Sequence, residues 1–191
     1  NAAEFAPFLG FAISEGHADK GCVYVSQTGG RPYKDMVVAR IDSAVSVFPS
    51  EWTARRQDGD AVTWRVAHKG LASWIISQVG QGASAKRLPQ CVYDWTAPAQ
   101  EALMYALMLG DGNVHTPPGA QLWTCGSYGS TSEQLIDGLQ RLCVHLGWTA
   151  RKVPNGSIPD TPYWMLRIRK RPVRMIDPRL SASAVDYHGM V

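Results

Sequence analysis

Residues 104–112, Met-Tyr-Ala-Leu-Met-Leu-Gly-Asp-Gly, form an apolar run that stops at a single carboxylate between two glycines. Residues 8–16, Phe-Leu-Gly-Phe-Ala-Ile-Ser-Glu-Gly, repeat the pattern. Each segment has a small residue at its third position, Gly10 or Ala106, and another four residues on, Ser14 or Gly110. Positions i and i+4 share a helix face, so each helix carries a stripe that a second backbone can approach closely. Each run then ends in one acid, Glu15 or Asp111, followed by a glycine suited to helix termination. Two such helices, packed side by side, bring the two carboxylates together at one end.

A single apolar helix ending in Asp-Gly is a common core element; two copies at a fixed spacing are less ordinary. Glu15 and Asp111 lie 96 residues apart, and so do Trp52-Thr53-Ala54-Arg55 and Trp148-Thr149-Ala150-Arg151. A shared offset indicates internal duplication, and this period is too long for a solenoid. The expected organisation is a half-domain over residues 1–96, a second over 97–180, and a tail over 181–191.

The composition allows a packed core: 191 residues, 45% hydrophobic and only 18% charged. The net charge of +3 decides little, but its distribution does. From Trp148 to Arg179 the basic residues are Arg151, Lys152, Arg167, Arg169, Lys170, Arg171, Arg174 and Arg179, against Asp160 and Asp177 alone. Such a run is ordinarily a solvated face; here it also suits a polyanionic partner. The four cysteines form no CxxC pair and the five histidines show no ligand spacing, which argues against zinc or a disulfide scaffold. No apolar run reaches membrane-spanning length and no signal peptide is present, so a soluble intracellular protein without a membrane partner is expected.

In chain order, Phe5–Glu15 reads as the first apolar helix and Cys22–Gln27 as a strand. Tyr33–Phe48 reads as an amphipathic helix with Met36, Val37, Ile41, Ala44, Val45 and Phe48 inward. Trp52–Arg56 and Val62–His68 make a hairpin around Asp58-Gly59, and Leu71–Val79 a short helix. Ala97–Asp111, Gln121–Cys125 and Ser130–Leu146 give helix, strand and helix, with Ser132 as a cap. Trp148–Val153 and Tyr163–Lys170 close the series as a second hairpin. This is an α+β chain in which helices cover one face of each antiparallel sheet. The free faces are expected to carry Arg55 and Arg65 in the first half, and Arg151, Arg167 and Arg169 in the second. A two-stranded ribbon with alternating cationic side chains fits the DNA major groove, although any one of these arginines taken alone reads as an ordinary surface residue.

With these residues in view, the two runs resemble the paired signature helices of the LAGLIDADG homing endonucleases in their single-chain, two-motif form. Lys86-Arg87-Leu88-Pro89-Gln90 resembles the Lys-x-Ile-Pro block of endonuclease domains found inside inteins. Residues 185–191, Val-Asp-Tyr-His-Gly-Met-Val, resemble the start of an intein C-terminal splicing block. The first signature ends in Glu where Asp is usual. The resemblance implies a pseudo-twofold pair of αββαββα half-domains, two curved antiparallel sheets forming a DNA-binding saddle, and signature helices at the centre. It further implies a monomeric, site-specific double-strand DNA endonuclease fused to intein splicing domains in the full-length protein. Beginning at Asn1 and lacking a terminal His-Asn, the sequence as given is not expected to self-splice.

Phosphodiester hydrolysis needs a polarised phosphate and an activated water, which divalent metals supply. Magnesium prefers oxygen ligands and few protein carboxylates, so Glu15 and Asp111 are the expected holders of Mg2+, or of Mn2+ or Ca2+. Each acid, by the resemblance, serves cleavage of one strand. Lys86 is the expected basic group near the scissile phosphates, with a plain surface lysine before a turn as the alternative. Lys170, at the end of the corresponding hairpin, is its expected counterpart in the second half, and the resemblance implies that Gln27, closing the first strand, orients a water. Double-stranded DNA contacts are assigned to Arg31, Arg55, Arg65, Arg151, Lys152, Arg167 and Arg169. The unequal hairpin loops point to an asymmetric target. The competing readings are a catalytically inactive DNA- or RNA-binding relative, a maturase or regulator, and an unrelated domain whose small-residue helices are only packing devices.

Overall fold

The computed structural model describes residues 1–28, 34–115, 124–158 and 160–170. Arg31, the segment ahead of Thr124 and the tail over 181–191 lie outside these. The chain folds as α1 (Ala2–Ser14), β1 (Gly16–Asp19), β2 (Cys22–Gln27), α2 (Lys34–Val45), β3 (Thr53–Asp58), β4 (Ala61–Ala67) and α3 (Lys69–Val79). After a linker of short 3-10 turns come α4 (Ala97–Gly110), β5 (Gly112–His115), β6 (Cys125–Ser130), α5 (Glu133–His145), β7 (Thr149–Ile158) and β8 (Thr161–Arg169). The two four-stranded sheets have the orders β1-β2-β4-β3 and β5-β6-β8-β7, with antiparallel pairing throughout. This is the expected α+β architecture, with one pattern used twice.

Two strands, β1 and β5, are absent from the element-by-element sequence reading. Each is four residues long, Gly-His-Ala-Asp and Gly-Asn-Val-His, and neither shows enough apolar alternation to be noticed. They start at once after the two acids. Gly16 and Gly112 therefore open strands, and neither adopts a positive φ. They are glycines because there is no room: a Cβ on Gly16 would stand 2.6 Å from the Ala12 carbonyl oxygen, and one on Gly112 2.6 Å from that of Met108. In the second half the described strand runs over Cys125–Ser130, and residues 121–123 of the strand read at Gln121–Cys125 lie outside the described residues.

α1 and α4 form the centre. From Phe8 to Ser14 every residue of α1 is buried, and Leu103, Met104, Ala106, Leu107, Met108 and Gly110 of α4 are buried with them. The remaining helices cover one face of each sheet. α5 presents Leu135, Ile136, Leu139, Leu142 and Cys143 to the core, as its 3.6-residue pattern predicts. α2 contributes Val37, Ile41, Ala44 and Val45, whereas Met36 is exposed. Burying this apolar set at about 25 cal/mol per Å2 is the main driving force of the fold.

Strand register corrects the second echo. Thr53 pairs with Val66 and Arg55 with Trp64, both buried partners, so these two residues lie on the helix-covered face. Thr149 pairs with Arg169 and Arg151 with Arg167, both exposed, so these lie on the open face. The Trp-Thr-Ala-Arg copies therefore sit one residue out of phase, and a shift of one residue reverses every side chain in a strand.

Candidate active site and nucleic-acid face

The small-residue stripes interlock reciprocally. A Cβ on Gly10 would stand 2.6 Å from Ala106 Cβ and 2.7 Å from the Leu103 carbonyl oxygen. A Cβ on Gly110 would stand 2.1 Å from Ser14 Oγ and 3.2 Å from Glu15 Cγ. Residue 10 thus faces 106, and 14 faces 110, which is what a two-fold relation between packed copies requires. Ser14 Oγ donates back to the Gly10 carbonyl at 3.1 Å, so its hydroxyl is satisfied within its own helix.

Glu15 and Asp111 are the C-caps of these helices, each donating its backbone N–H to the helix, to Phe11 O at 2.8 Å and Leu107 O at 3.2 Å respectively. The helix end is the negative end of the macrodipole. Placing a carboxylate at each end adds like charge to like charge, an arrangement that calls for a cation. Glu15 is half-buried, with Oε1 shielded from solvent, while Asp111 is exposed.

Lys86 is drawn to this end of the molecule. Its Nζ donates to the Ile13 carbonyl and, at 3.1 Å, to the Ser14 carbonyl, a cation on the C-terminal turn of α1. Burial pushes its ammonium below the usual lysine value, and Asp111 and Glu15 oppose that shift. Its backbone is held from the other half: Ser132 Oγ, capping α5 by accepting from Leu135 N, donates to the Lys86 carbonyl. The arrangement is richer than that of a surface lysine before a turn.

Tyr128 is the residue that sequence reasoning missed. It pairs with Gly112 across β5 and β6, is 1% exposed, and lies on the covered face. Burial first, then the Asp111 and Glu15 carboxylates, hold its phenol well above the usual tyrosine value, so it stays protonated. The only signal in the sequence was a lone aromatic in Cys-Gly-Ser-Tyr-Gly-Ser, a segment too rich in glycine and serine to read as a core strand. In the first sheet the corresponding partner of Gly16 is Val25.

Gln27 is buried at the end of β2, beside the backbone bond from Ser26 N to the Glu15 carbonyl at 3.1 Å. Its Nε2 donates to the Thr28 carbonyl at 3.3 Å, and its Oε1 is buried with no hydrogen-bond partner among the described residues.

Lys170 is not brought to the acids. Its N–H bonds Thr124 O, at the end of the sheet opposite to Gly112, and its ammonium lies 4.6 Å from the centre of the Trp148 ring. Partial burial lowers its pKa, with Glu101 on the first turns of α4 opposing. The expected symmetry with Lys86 fails because Lys170 ends a strand, whereas Lys86 follows a helix.

Of the expected DNA-contacting residues, Arg65, Arg151, Arg167 and Arg169 are exposed on open sheet faces. Two others face the helices. Arg55 bonds Asp42 of α2 at 3.4 Å and lies over Trp64, and Lys152 bonds Glu133 and Asp137 of α5, each at 2.6 Å, and lies over Trp164. They are matching sheet-to-helix clasps. Arg56, which pairs with Thr63, takes the open position expected of Arg55.

No protein-family model matches the chain. Among curated proteins, a DNA polymerase of Thermococcus sp. (strain GE8) is 26% identical over 153 residues, which span 78% of this chain and 8% of that one. Among solved structures, the homing endonuclease I-DmoI in complex with DNA and Ca has a TM-score of 0.58 at 13% identity, covering 89% of this chain and 84% of that one. The N-terminal LAGLIDADG domain of DUF199/WhiA has a TM-score of 0.53 at 9% identity, covering 88% and 75%. The chain has the two-motif LAGLIDADG fold. Proteins of different names share it, so activity must be argued from the site.

Proposed function

We propose that the chain is a site-specific double-strand DNA endonuclease that hydrolyses phosphodiesters with a divalent metal at a long asymmetric target, and that it acts as a monomer within an intein. The observation that carries this reading is the reciprocal packing of Gly10 on Ala106 and Ser14 on Gly110, which delivers Glu15 and Asp111 to one end of the central helix pair within the electrostatic reach of one lysine. The packing-device reading explains the small residues but not an acid at both helix ends.

The donor set fits a hard divalent cation. It offers two carboxylates at the ends of the packed helices. That suits Mg2+ or Mn2+, which keep waters and take substrate oxygens; I-DmoI has been crystallised with its target DNA in the presence of Mn and of Mg. Glu15 and Asp111 would hold such an ion, which when bound would supply phosphate polarisation and water activation. Lys86, its ammonium held on α1 and its proton weakened by burial, can stabilise developing negative charge or exchange a proton at Nζ. Gln27 offers the Oε1 acceptor that can order a water beside Glu15. The half-domain boundary between residues 96 and 97 follows from the same reading, as do the DNA contacts of Arg31 and of the open sheet faces.

The test is cleavage of a library of uninterrupted host-gene sequences in magnesium. Glu15→Gln and Asp111→Asn should each abolish double-strand cleavage while leaving DNA affinity nearly intact. Normal cutting by both variants overturns the assignment; binding without cutting by the unaltered chain would favour the inactive-relative reading.

A further inference from the structure

The open faces of the two sheets are not equivalent in charge. On the second, Arg151 and Arg167 stand directly opposite each other across β7 and β8, and Arg169 follows two residues along the same face. All three are exposed, and none is paired with a carboxylate among the described residues. They line a cleft of about 490 Å3 together with Ser127 and Thr149. On the first sheet, Arg65 stands opposite Ala54 on one side and Tyr24 on the other. Arg56 is bonded to Asp58 at 3.5 Å, and Asp19 occupies the same face beside Cys22. His17 and Tyr24 stack there with ring centres 5.0 Å apart. The strand positions of the first open face are thus neutral in sum, two arginines against two aspartates, whereas those of the second carry three uncompensated positive charges.

Like charges placed directly opposite in an antiparallel pair are destabilising. The fold gains nothing visible from the Arg151–Arg167 pair, and a buried-face alternative was available: the neighbouring cation, Lys152, turns to the helices and takes two carboxylates. A polyanion threaded over the cleft removes the repulsion. Resting on the nuclease reading above, we propose that the C-terminal sheet, through Arg151, Arg167 and Arg169, supplies most of the electrostatic grip on duplex DNA. The N-terminal sheet lies against the other half-site with stacked rings and hydroxyls and with little net charge. One half-site therefore anchors the protein, and the other is read by contacts that depend weakly on salt.

The experiment measures affinity of the full chain for a random-sequence DNA duplex across a salt series, with melting temperature recorded in parallel without DNA. Each phosphate contact contributes about 0.9 to the slope of log affinity against log salt. Replacing Arg151, Arg167 and Arg169 together by Gln should lower that slope by about 2–3. Replacing Arg56 and Arg65 by Gln should lower it by less than about 1. Arg151→Gln alone should raise the melting temperature by ~1–3 °C at low salt, with the gain vanishing at high salt. Equal slope losses from the two sheets, or a lower melting temperature for Arg151→Gln, would overturn the proposal while leaving the nuclease reading in place. Absence of salt-dependent DNA affinity in the unaltered chain would remove both.

Discussion

The two halves share a backbone and differ in chemistry. Each ends a central helix in an acid and begins a strand at the next glycine. Around Glu15 the setting is enclosed: the side chain is half-buried, its carbonyl accepts from Ser26 N next to the buried Gln27, and Lys86 sits on the last carbonyls of the helix. Around Asp111 the setting is open, and the residue facing Gly112 is a buried tyrosine where the first half has valine. The pseudo-twofold relation is thus a property of helix packing and strand order. It does not extend to the groups that would handle protons or phosphate, and two strands of a duplex laid across it would meet unlike surroundings.

The strongest way to break this comparison is to remove the acids singly. Glu15→Gln and Asp111→Asn should each abolish double-strand cleavage, a loss of at least about 100- to 1,000-fold, and gel analysis should show nicked rather than linear product if each acid serves one strand. Nicking of the same strand by both variants would show that the halves do not divide the work. Next, Lys86→Met should reduce cleavage by about 100-fold, whereas Lys170→Met should change it no more than a few-fold, since Lys170 is far along the sheet. Comparable losses at the two lysines would restore a symmetry that the structure denies.

Packing at the helix interface tests the halves against each other. A Cβ at Gly10 meets both the Ala106 Cβ and the Leu103 carbonyl oxygen, while one at Gly110 meets chiefly the Ser14 side chain. Both Gly10→Ala and Gly110→Ala should destabilise by about 1–3 kcal/mol, read as several degrees in Tm. Ser14→Gly should largely rescue Gly110→Ala, whereas Ala106→Gly should rescue Gly10→Ala only in part, because the Leu103 carbonyl oxygen stays in the way. The titration of Lys86 gives a finer probe. Glu15 and Asp111 both hold its pKa up against burial, so Glu15→Gln should lower it further, and NMR titration of the labelled ammonium should show the change. A rise would mean that Glu15 lies outside its field. The smallest effects belong to the clasps. Arg55→Met and Lys152→Met should cost no more than about 1 kcal/mol each, as for other exposed ion pairs, and leave DNA affinity unchanged.

What the sequence revealed and what it hid follow one physical distinction. Gly10, Ser14, Ala106 and Gly110 were legible because helical spacing is local, and four letters suffice to define a face. The position of Glu15 and Asp111 at the helix ends is legible for the same reason. The faces of Arg55 and Lys152 were not legible, because a strand's orientation depends on its partner's register, which is set by residues far along the chain. The Trp-Thr-Ala-Arg echo misled for that reason: identical letters fell one position out of step. Tyr128 was hidden among glycines and serines, and β1 and β5 were too short to show a period. Ser132 is legible as a cap, but its second bond, to the Lys86 carbonyl, joins segments 46 residues apart and leaves no local trace.

That second bond has a historical consequence. A tandem gene can begin with two interchangeable copies, each replaceable by its sibling. Once a hydroxyl at the start of a helix in the later copy fastens the amine-bearing loop of the earlier one, exchange ends. A homodimer rebuilt from either half alone would lack one member of the fastening, so neither half by itself carries the contact that joins them.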